Sequence, residues 1–358
     1  MFKQLISVLK PYAPGLFPDP PTKPNYPQEV YQYSTQAWGS HQDGNYVMGY
    51  IPHRDTPATP QVVIYLHGFA FGNPYYYDAH MQHLAKQGYY VFFADYQKDK
   101  YPNDQTPQSP KFGNVDQLIA AVVDSFQTSG EEMIKTAWAA VQNAMQTVLG
   151  QTENVDIYLF GHSVGGLFVL SWPNFVGTQN IKAIMAADPI SATAELPEWI
   201  IKHLSIKSPF LQSPIDIKTT GAGLGNIPVA LLIGNSDLFV KPATWQNRWS
   251  YLATATKQMY ISQSDYYYNI YRCDAKRALI AYHNQSVTNK LLDLPDDAIA
   301  EDVELIIGGA GVENNMRWRF VWDAFDAVLQ GTSVKNLTFD MSTWSNGRKV
   351  TGVKPWSN

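Results

Sequence analysis

The stretch Val155 to Leu170, VDIYLFGHSVGGLFVL, limits the fold more than any other part of the chain. A short apolar run ends abruptly in Gly161-His162-Ser163-Val164-Gly165-Gly166, and a second apolar run follows. This is G-x-S-x-G set between a strand and a helix. A serine at such a corner projects its hydroxyl beyond the sheet. Small residues two before and two after let the backbone pass close to itself without a Cβ clash. The first turn of the following helix offers N–H groups that have no intrahelical acceptor, ready for a developing negative charge. Ser163 is therefore a candidate nucleophile. The plain alternative is a glycine-rich strand-to-helix turn carrying an inert serine.

Composition narrows the surroundings of that corner. With 358 residues, 45% hydrophobic and 16% charged, the chain can bury a sizeable core in one large or two modest domains. A net charge of −5 without a basic block speaks against a nucleic-acid partner. The single cysteine, Cys273, excludes an internal disulfide and the multi-cysteine zinc patterns. The opening MFKQLISVLKPYAPG has no long apolar segment and no small-residue cleavage site, so no signal peptide is expected. No run reaches the length of a membrane span. The expectation is a soluble, cytoplasmic protein without stable membrane insertion; the sequence leaves its oligomeric state open. The sequons at Asn284 and Asn336 carry no weight without a secretory signal.

Residues 1–28 read as an N-terminal extension: an apolar start (Phe2, Leu5, Ile6, Leu9), then an extended connector from Pro18 to Pro27. Strands are expected at Glu29 to Thr35 and Tyr46 to Ile51, joined through Asp43-Gly44-Asn45. The continuous run Val62 to Leu66 suits a strand buried on both faces. Asn73-Pro74 starts a helix that stops at Gly88, and Tyr90 to Ala94 is the next strand. Amphipathic helices are expected over Val115–Phe126 and Met133–Val148, ahead of the Ser163 strand. This alternation implies a parallel sheet with right-handed crossovers. Further strands are expected at Ala183 to Ala187, Val229 to Gly234 and Gln258 to Ile261. Residues 190–226 lose the strand–helix rhythm and mix prolines with exposed-looking apolar residues (Trp199, Ile200, Ile201, Phe210, Leu211), a lid-like insertion. An acidic patch between Asp293 and Glu304 reads as solvated surface, Met316 to Leu329 as a closing helix, and 332–358 as a polar tail. The domain expectation is thus a single unit over 29–331 with an extension on either side.

A serine hydroxyl needs a base, normally an imidazole, and a carboxylate that holds the imidazole's tautomer. In this architecture the order along the chain is Ser, then Asp or Glu, then His. Of the eight histidines only His203 and His283 follow Ser163, and His283 alone follows every plausible acid. His283 is the expected base. Asp237, after the strand ending at Gly234, is the favoured acid; Asp188, after the preceding strand, is the alternative. One oxyanion donor is expected from the backbone of Val164. The other comes from His67-Gly68-Phe69-Ala70, with Phe69 preferred and Ala70 the alternative. His67 is read as bracing its loop, and His162 as packing or hydrogen-bonding behind the corner. Tyr75 to Tyr77 and Tyr266 to Tyr268 either line a cleft or sit half-buried at its rim.

Leu66-His67-Gly68-Phe69, the Gly161–Gly166 corner, Gly234-Asn235-Ser236-Asp237 and the isolated His283, in that order, resemble the α/β-hydrolase superfamily over about Glu29 to Gly331. The corner and the His-Gly-Phe loop are also similar to the cutinase and chlorophyllase-like lipase branch, although chlorophyllases tend to carry Arg where this chain has Val164. The resemblance implies a mostly parallel central sheet with helices on both faces. It also implies a Ser-Asp-His hydrolase with no metal and no organic cofactor, acting on a small-molecule ester. The expected function is a serine carboxylic ester hydrolase working through an acyl-enzyme on a hydrophobic ester. A thioesterase or acyltransferase on the same triad, or a non-catalytic binding protein on a hydrolase fold, are the alternatives.

Overall fold

The structure, a computed structural model, describes residues 18–69, 71–110, 128–196, 201, 208–266, 278–289, 309, 311 and 313–356. The expected helix at Val115–Phe126, the acidic patch, and Trp199, Ile200, His203, Tyr267, Tyr268 and Cys273 lie outside the described residues.

The strands in chain order are β1 (Tyr33–Trp38), β2 (Tyr46–Pro52), β3 (Gln61–Leu66), β4 (Tyr90–Asp95), β5 (Asp156–His162), β6 (Ile181–Ala187), β7 (Val229–Gly234), β8 (Lys257–Ser262), β9 (Asp265–Tyr266), β10 (Ala278–Leu279) and β11 (Lys354–Trp356). Nine of them form one sheet in the order β1-β2-β4-β3-β5-β6-β7-β8-β11, while β9 and β10 pair separately. From β4 through β8 every pairing is parallel. The pairings β1–β2, β2–β4 and β8–β11 are antiparallel. All six residues of β4 and of β7 are buried, as a parallel sheet covered on both faces requires.

Helices α1 (Asp78–Lys86), α2 (Gly130–Leu149), α3 (Val164–Phe175), α4 (Pro242–Arg248) and α5 (Asp323–Leu329) cover the sheet. Their ends follow local rules. The Asn73 side chain accepts the Tyr75 N–H in a 3-10 turn over Pro74–Tyr77 that leads into α1. Ser129 caps α2 through the Glu132 N–H, and Gly150 closes it in the left-handed conformation. A wide π turn over Met316–Trp322 runs into α5. Stacking of His80 on Trp322 joins α1 to that closing helix, and Trp138 meets Trp172 edge-on between α2 and α3.

Three findings differ from the sequence expectation. The first strand begins at Tyr33 rather than at Glu29, because Glu29 is drawn away to pair with His83. Phe210, read as exposed, is buried with Ile215, Ile217 and Leu224, so the described part of the 190–226 insertion has its own apolar anchor. The tail is no appendage: Val334, Leu337, Met341, Trp344 and Val350 are buried, and β11 extends the sheet beyond β8.

The proline-rich arm is fastened to the closing helix. Tyr26 Oη donates to Asp323, Gln28 Nε2 to Asp326, and His83 bridges Glu29 (2.7 Å) and Asp326 (2.9 Å). Burial alone would depress the His83 imidazole, but the Asp326 and Glu29 carboxylates outweigh it and raise its pKa. A raised imidazole contributes stability that is complete below its unfolded value, about 6.5, and is lost as pH climbs through the folded value. For Glu29, burial acts upward, but the His83 contact prevails and holds the carboxylate low. Its contribution is present above the unfolded carboxylate value of about 4.3 and is lost as pH falls through the folded one. The Tm difference between wild type and His83→Gln is therefore expected to be greatest from about pH 5 to 6.5 and to shrink toward pH 9. A difference independent of pH in thermal melts would remove the clamp from the stability of the arm.

Candidate active site

Ser163 sits at the corner between β5 and α3 with φ 54° and ψ −115°, a conformation that L side chains rarely adopt. The two flanking glycines make the corner sterically feasible. A Cβ at Gly161 would lie 2.2 Å from the Gly165 carbonyl oxygen, and one at Gly165 would lie 2.3 Å from the His67 carbonyl oxygen. The corner is pinned by the Ser163 N–H to Ala187 O (3.0 Å) and by the Gly165 N–H to His67 O (3.1 Å).

Ser163 Oγ lies 2.8 Å from His283 Nε2, and His283 Nδ1 lies 2.8 Å from Asp237 Oδ2. The second Asp237 oxygen accepts the Phe239 N–H (2.7 Å) and the Val240 N–H (2.8 Å), which fixes the carboxylate plane. All three side chains are buried, and the Phe239 ring meets the His283 ring edge-on at 5.0 Å. Val164 is the first residue of α3. Phe69 is buried in the loop after β3. The Gly68 carbonyl accepts from His67 Nδ1 (2.6 Å) and from the Phe71 N–H (3.1 Å), which sets the Gly68–Phe69 peptide plane. Ala70 lies outside the described residues.

Asp188 is placed beside the site rather than on the imidazole. Its Oδ1 accepts the Gly234 N–H (2.9 Å), and Gln285 Nε2 reaches both of its oxygens (2.9 and 3.0 Å). Burial first, and then the charge of Asp237, push its carboxyl well above the usual range. With its oxygens taken up by Gly234 and Gln285, Asp188 braces the loops around His283. His67, for its part, is held from behind. Its Nε2 faces Asp95 Oδ1 (3.1 Å), whose other oxygen meets His41 Nδ1 (2.6 Å).

His283 comes from a loop, not a strand, so other residues must hold it. Arg317 donates from Nε to Val287 O (3.0 Å) and from Nη2 to Asn284 O (2.8 Å). Gln285 is further tied to Ser262 (2.8 Å), and the Thr288 N–H donates to Tyr76 O (2.8 Å). Burial lowers the Arg317 guanidinium below its usual value while Asp188 and Glu313 act against it, and it stays charged at neutral pH. Sequence reasoning missed Gln285 and Arg317, and it placed Tyr77 in a cleft or half-buried at its rim, whereas Tyr77 is fully buried with its hydroxyl against Gly68 and His162. Only Arg317 leaves a signal in the sequence, as one of two arginines, with Arg319, in the otherwise apolar run Met316 to Trp322.

The sheet order and the strained serine corner together decide the architecture. The chain has the α/β-hydrolase fold.

No protein-family model matches the chain, and no curated protein matches it by sequence. Solved structures are similar at low identity. Esterase Pf2001 of Pyrococcus furiosus is 17% identical, with a TM-score of 0.40 over 72% of this chain and 92% of that one. Esterase B of Lactobacillus rhamnosis, with a bound phosphonate inhibitor, is 15% identical, with a TM-score of 0.46 over 85% of this chain and 92% of that one. The acylaminoacyl peptidase of Pyrococcus horikoshii is 14% identical at a TM-score of 0.45; the match takes in 65% of this chain and only 36% of the peptidase.

Among the described residues no cluster of three or more His, Cys, Asp and Glu could hold a metal ion, and no helix is long and apolar enough to cross a membrane. A surface depression is lined by Glu195, Lys218, Thr244, Asn247, Arg248 and Tyr251, with no member of the Ser163 cluster in its wall. Arg248 there is already paired with Glu195 (2.6 Å) and Asp216 (3.1 Å).

The strain at Ser163 yields a test of the corner. Ser163→Gly and Ser163→Ala both remove the hydroxyl, but only glycine accepts φ 54° freely. Ser163→Gly is expected to be the more stable of the two by about 1 kcal/mol, roughly 2–4 °C in a calorimetric Tm. Equal melting temperatures would mean that the corner is not strained.

Proposed function

We propose that the chain is a serine hydrolase of carboxylic esters that works through an acyl-enzyme. The observation that carries the reading is the pair of 2.8 Å contacts joining Ser163 Oγ, His283 and Asp237 at a strained strand-to-helix corner. His283 Nε2 takes the Ser163 proton as Oγ attacks the ester carbonyl. Asp237 keeps the His283 Nδ1 proton in place and balances the charge of the imidazolium that forms. The Val164 and Phe69 N–H groups donate to the oxyanion of the tetrahedral intermediate. His283 then passes its proton to the leaving alcohol. Water, deprotonated by the same imidazole, attacks the acyl group and releases the acid, which returns Ser163 to its starting state. Side chains and two peptide N–H groups suffice for every step, so the proposal includes no cofactor.

The substrate is proposed to carry a hydrophobic acyl or alcohol group. Leu238, which follows the acid, is half exposed, and Phe239 covers the edge of the base. Activity on a chain-length series of p-nitrophenyl esters is expected to peak above acetate. Ser163→Ala and His283→Ala are expected to lower kcat by about 10⁴-fold or more, and Asp237→Asn by about 10³- to 10⁴-fold, in protein that still folds. Labelling of wild type by a fluorophosphonate, absent in Ser163→Ala, gives the same answer without a chosen substrate. A folded wild type that is labelled yet inert toward every ester moves the assignment to thioesters or acyl transfer. Faster turnover of short polar esters overturns the hydrophobic preference.

A further inference from the structure

We propose that Tyr77 and His162 are positioning residues: a buried relay that sets the oxyanion loop and the catalytic base against each other as one unit. The proposal deepens the hydrolase reading and rests on it.

The relay is a single hydrogen-bonded line. The Gly68 N–H donates to Tyr77 Oη (2.8 Å), Tyr77 Oη meets His162 Nδ1 (2.8 Å), and His162 Nε2 meets the backbone carbonyl of His283 (3.0 Å). Both side chains are fully buried. The partners assign every proton. A carbonyl only accepts, so the Nε2 atom of His162 carries hydrogen. Burial, reinforced by the neighbouring His283, keeps His162 well below the ordinary imidazole value, so the ring is neutral and its Nδ1 is bare. Tyr77, held neutral by burial, therefore donates to Nδ1, and its oxygen is left to accept the Gly68 N–H.

The position of the line explains why it matters. One end holds the N–H of Gly68, whose carbonyl is already held by His67 and Phe71, so both peptides that flank the Gly68 Cα are fixed, the second being the one that carries the proposed Phe69 donor. The other end holds the carbonyl of the residue that supplies the base. The hub, His162, directly precedes the nucleophile. Glycine at 68 is what lets the loop come this near, since a Cβ there would lie 2.6 Å from His162 Nδ1. Nucleophile, oxyanion donor and base come from three separate segments, and this is a polar line that touches all three.

The test uses the full chain, three single variants and the double variant Tyr77→Phe with His162→Asn. Tyr77→Phe removes one hydroxyl and keeps the ring. His162→Asn keeps a polar group near Nδ1 but loses the donor to His283 O, whereas His162→Gln keeps a donor near Nε2. Tyr77→Phe and His162→Asn are each expected to lower kcat on a p-nitrophenyl ester by about tenfold or more, with KM within about twofold of wild type. Their fluorophosphonate labelling rates should fall in parallel. The double variant should be no slower than the slower single, because both changes cut one line. His162→Gln should recover part of the loss seen in His162→Asn. Singles within about twofold of wild type in kcat, or losses that multiply in the double variant, overturn the relay. If the His162 variants do not fold, Tyr77→Phe decides alone. A wild type that is labelled but inert on esters sinks the ester reading only, and the labelling rates still judge the relay. A wild type that is not labelled overturns both.

Discussion

The backbone closes on itself at Ser163, and the arrangement of the whole carboxyl end of the sheet depends on that closure. Gly161 and Gly165 approach carbonyl oxygens so nearly that no side chain fits at either position. The Gly165 N–H can therefore reach the carbonyl of His67 and lock the corner to the loop after β3. Backbone strain at one residue thus brings a hydroxyl, a helix N-terminus and the loop after β3 to one place. A corner with any larger residue would open and separate all three.

The imidazole is held by different means. His283 has no sheet hydrogen bond to fix it, so its loop is moored through backbone carbonyls by Arg317 and His162, and through Gln285 to Asp188 and Ser262. Each bond contributes about 1 kcal/mol net of the water it replaces, but leaving any of these buried groups without a partner costs more than the bond itself contributes. The loop is therefore held less by the sum of its tethers than by the expense of releasing one. Asp188 suits that use because its two buried oxygens accept from Gly234 at the end of β7 and from Gln285 on the His283 loop.

How much of this is legible in the sequence follows from the range of each interaction. The buried strands at Val62 to Leu66 and Val229 to Gly234 are plain in the sequence, since burial on both faces leaves an unbroken apolar run. The order Ser163, Asp237, His283 is legible too, although the distances that join them belong to the fold. The start of β1 is not legible, because an edge strand with alternate residues exposed gives a weak pattern and Glu29 serves a distant histidine. Nor is β11: three residues, one a proline, with exposed or half-buried side chains, owe their conformation to the free edge of β8. Tyr77 and Gln285 bond groups that lie far away in the chain, and nothing in their immediate neighbours records it. Phe210 sits among prolines that suggest surface, and only its place in the common apolar core with Ile215 and Leu224 makes it buried.

The fastening of the proline-rich arm also bears on how the chain comes to be folded. Tyr26 and Asp323 are 297 positions apart, and Gln28 and Asp326 are 298 apart. Contacts so remote carry a large loop-closure entropy and form late. At synthesis rates of about 5–20 residues per second, some tens of seconds separate the emergence of the arm from that of its partners. From the emergence of α1 until that of the closing helix, His80 and His83 lack the Trp322 indole on which they stack in the folded chain. The last part of the chain to be made therefore completes the packing on this side of the sheet, so docking of the closing helix falls at the end of synthesis.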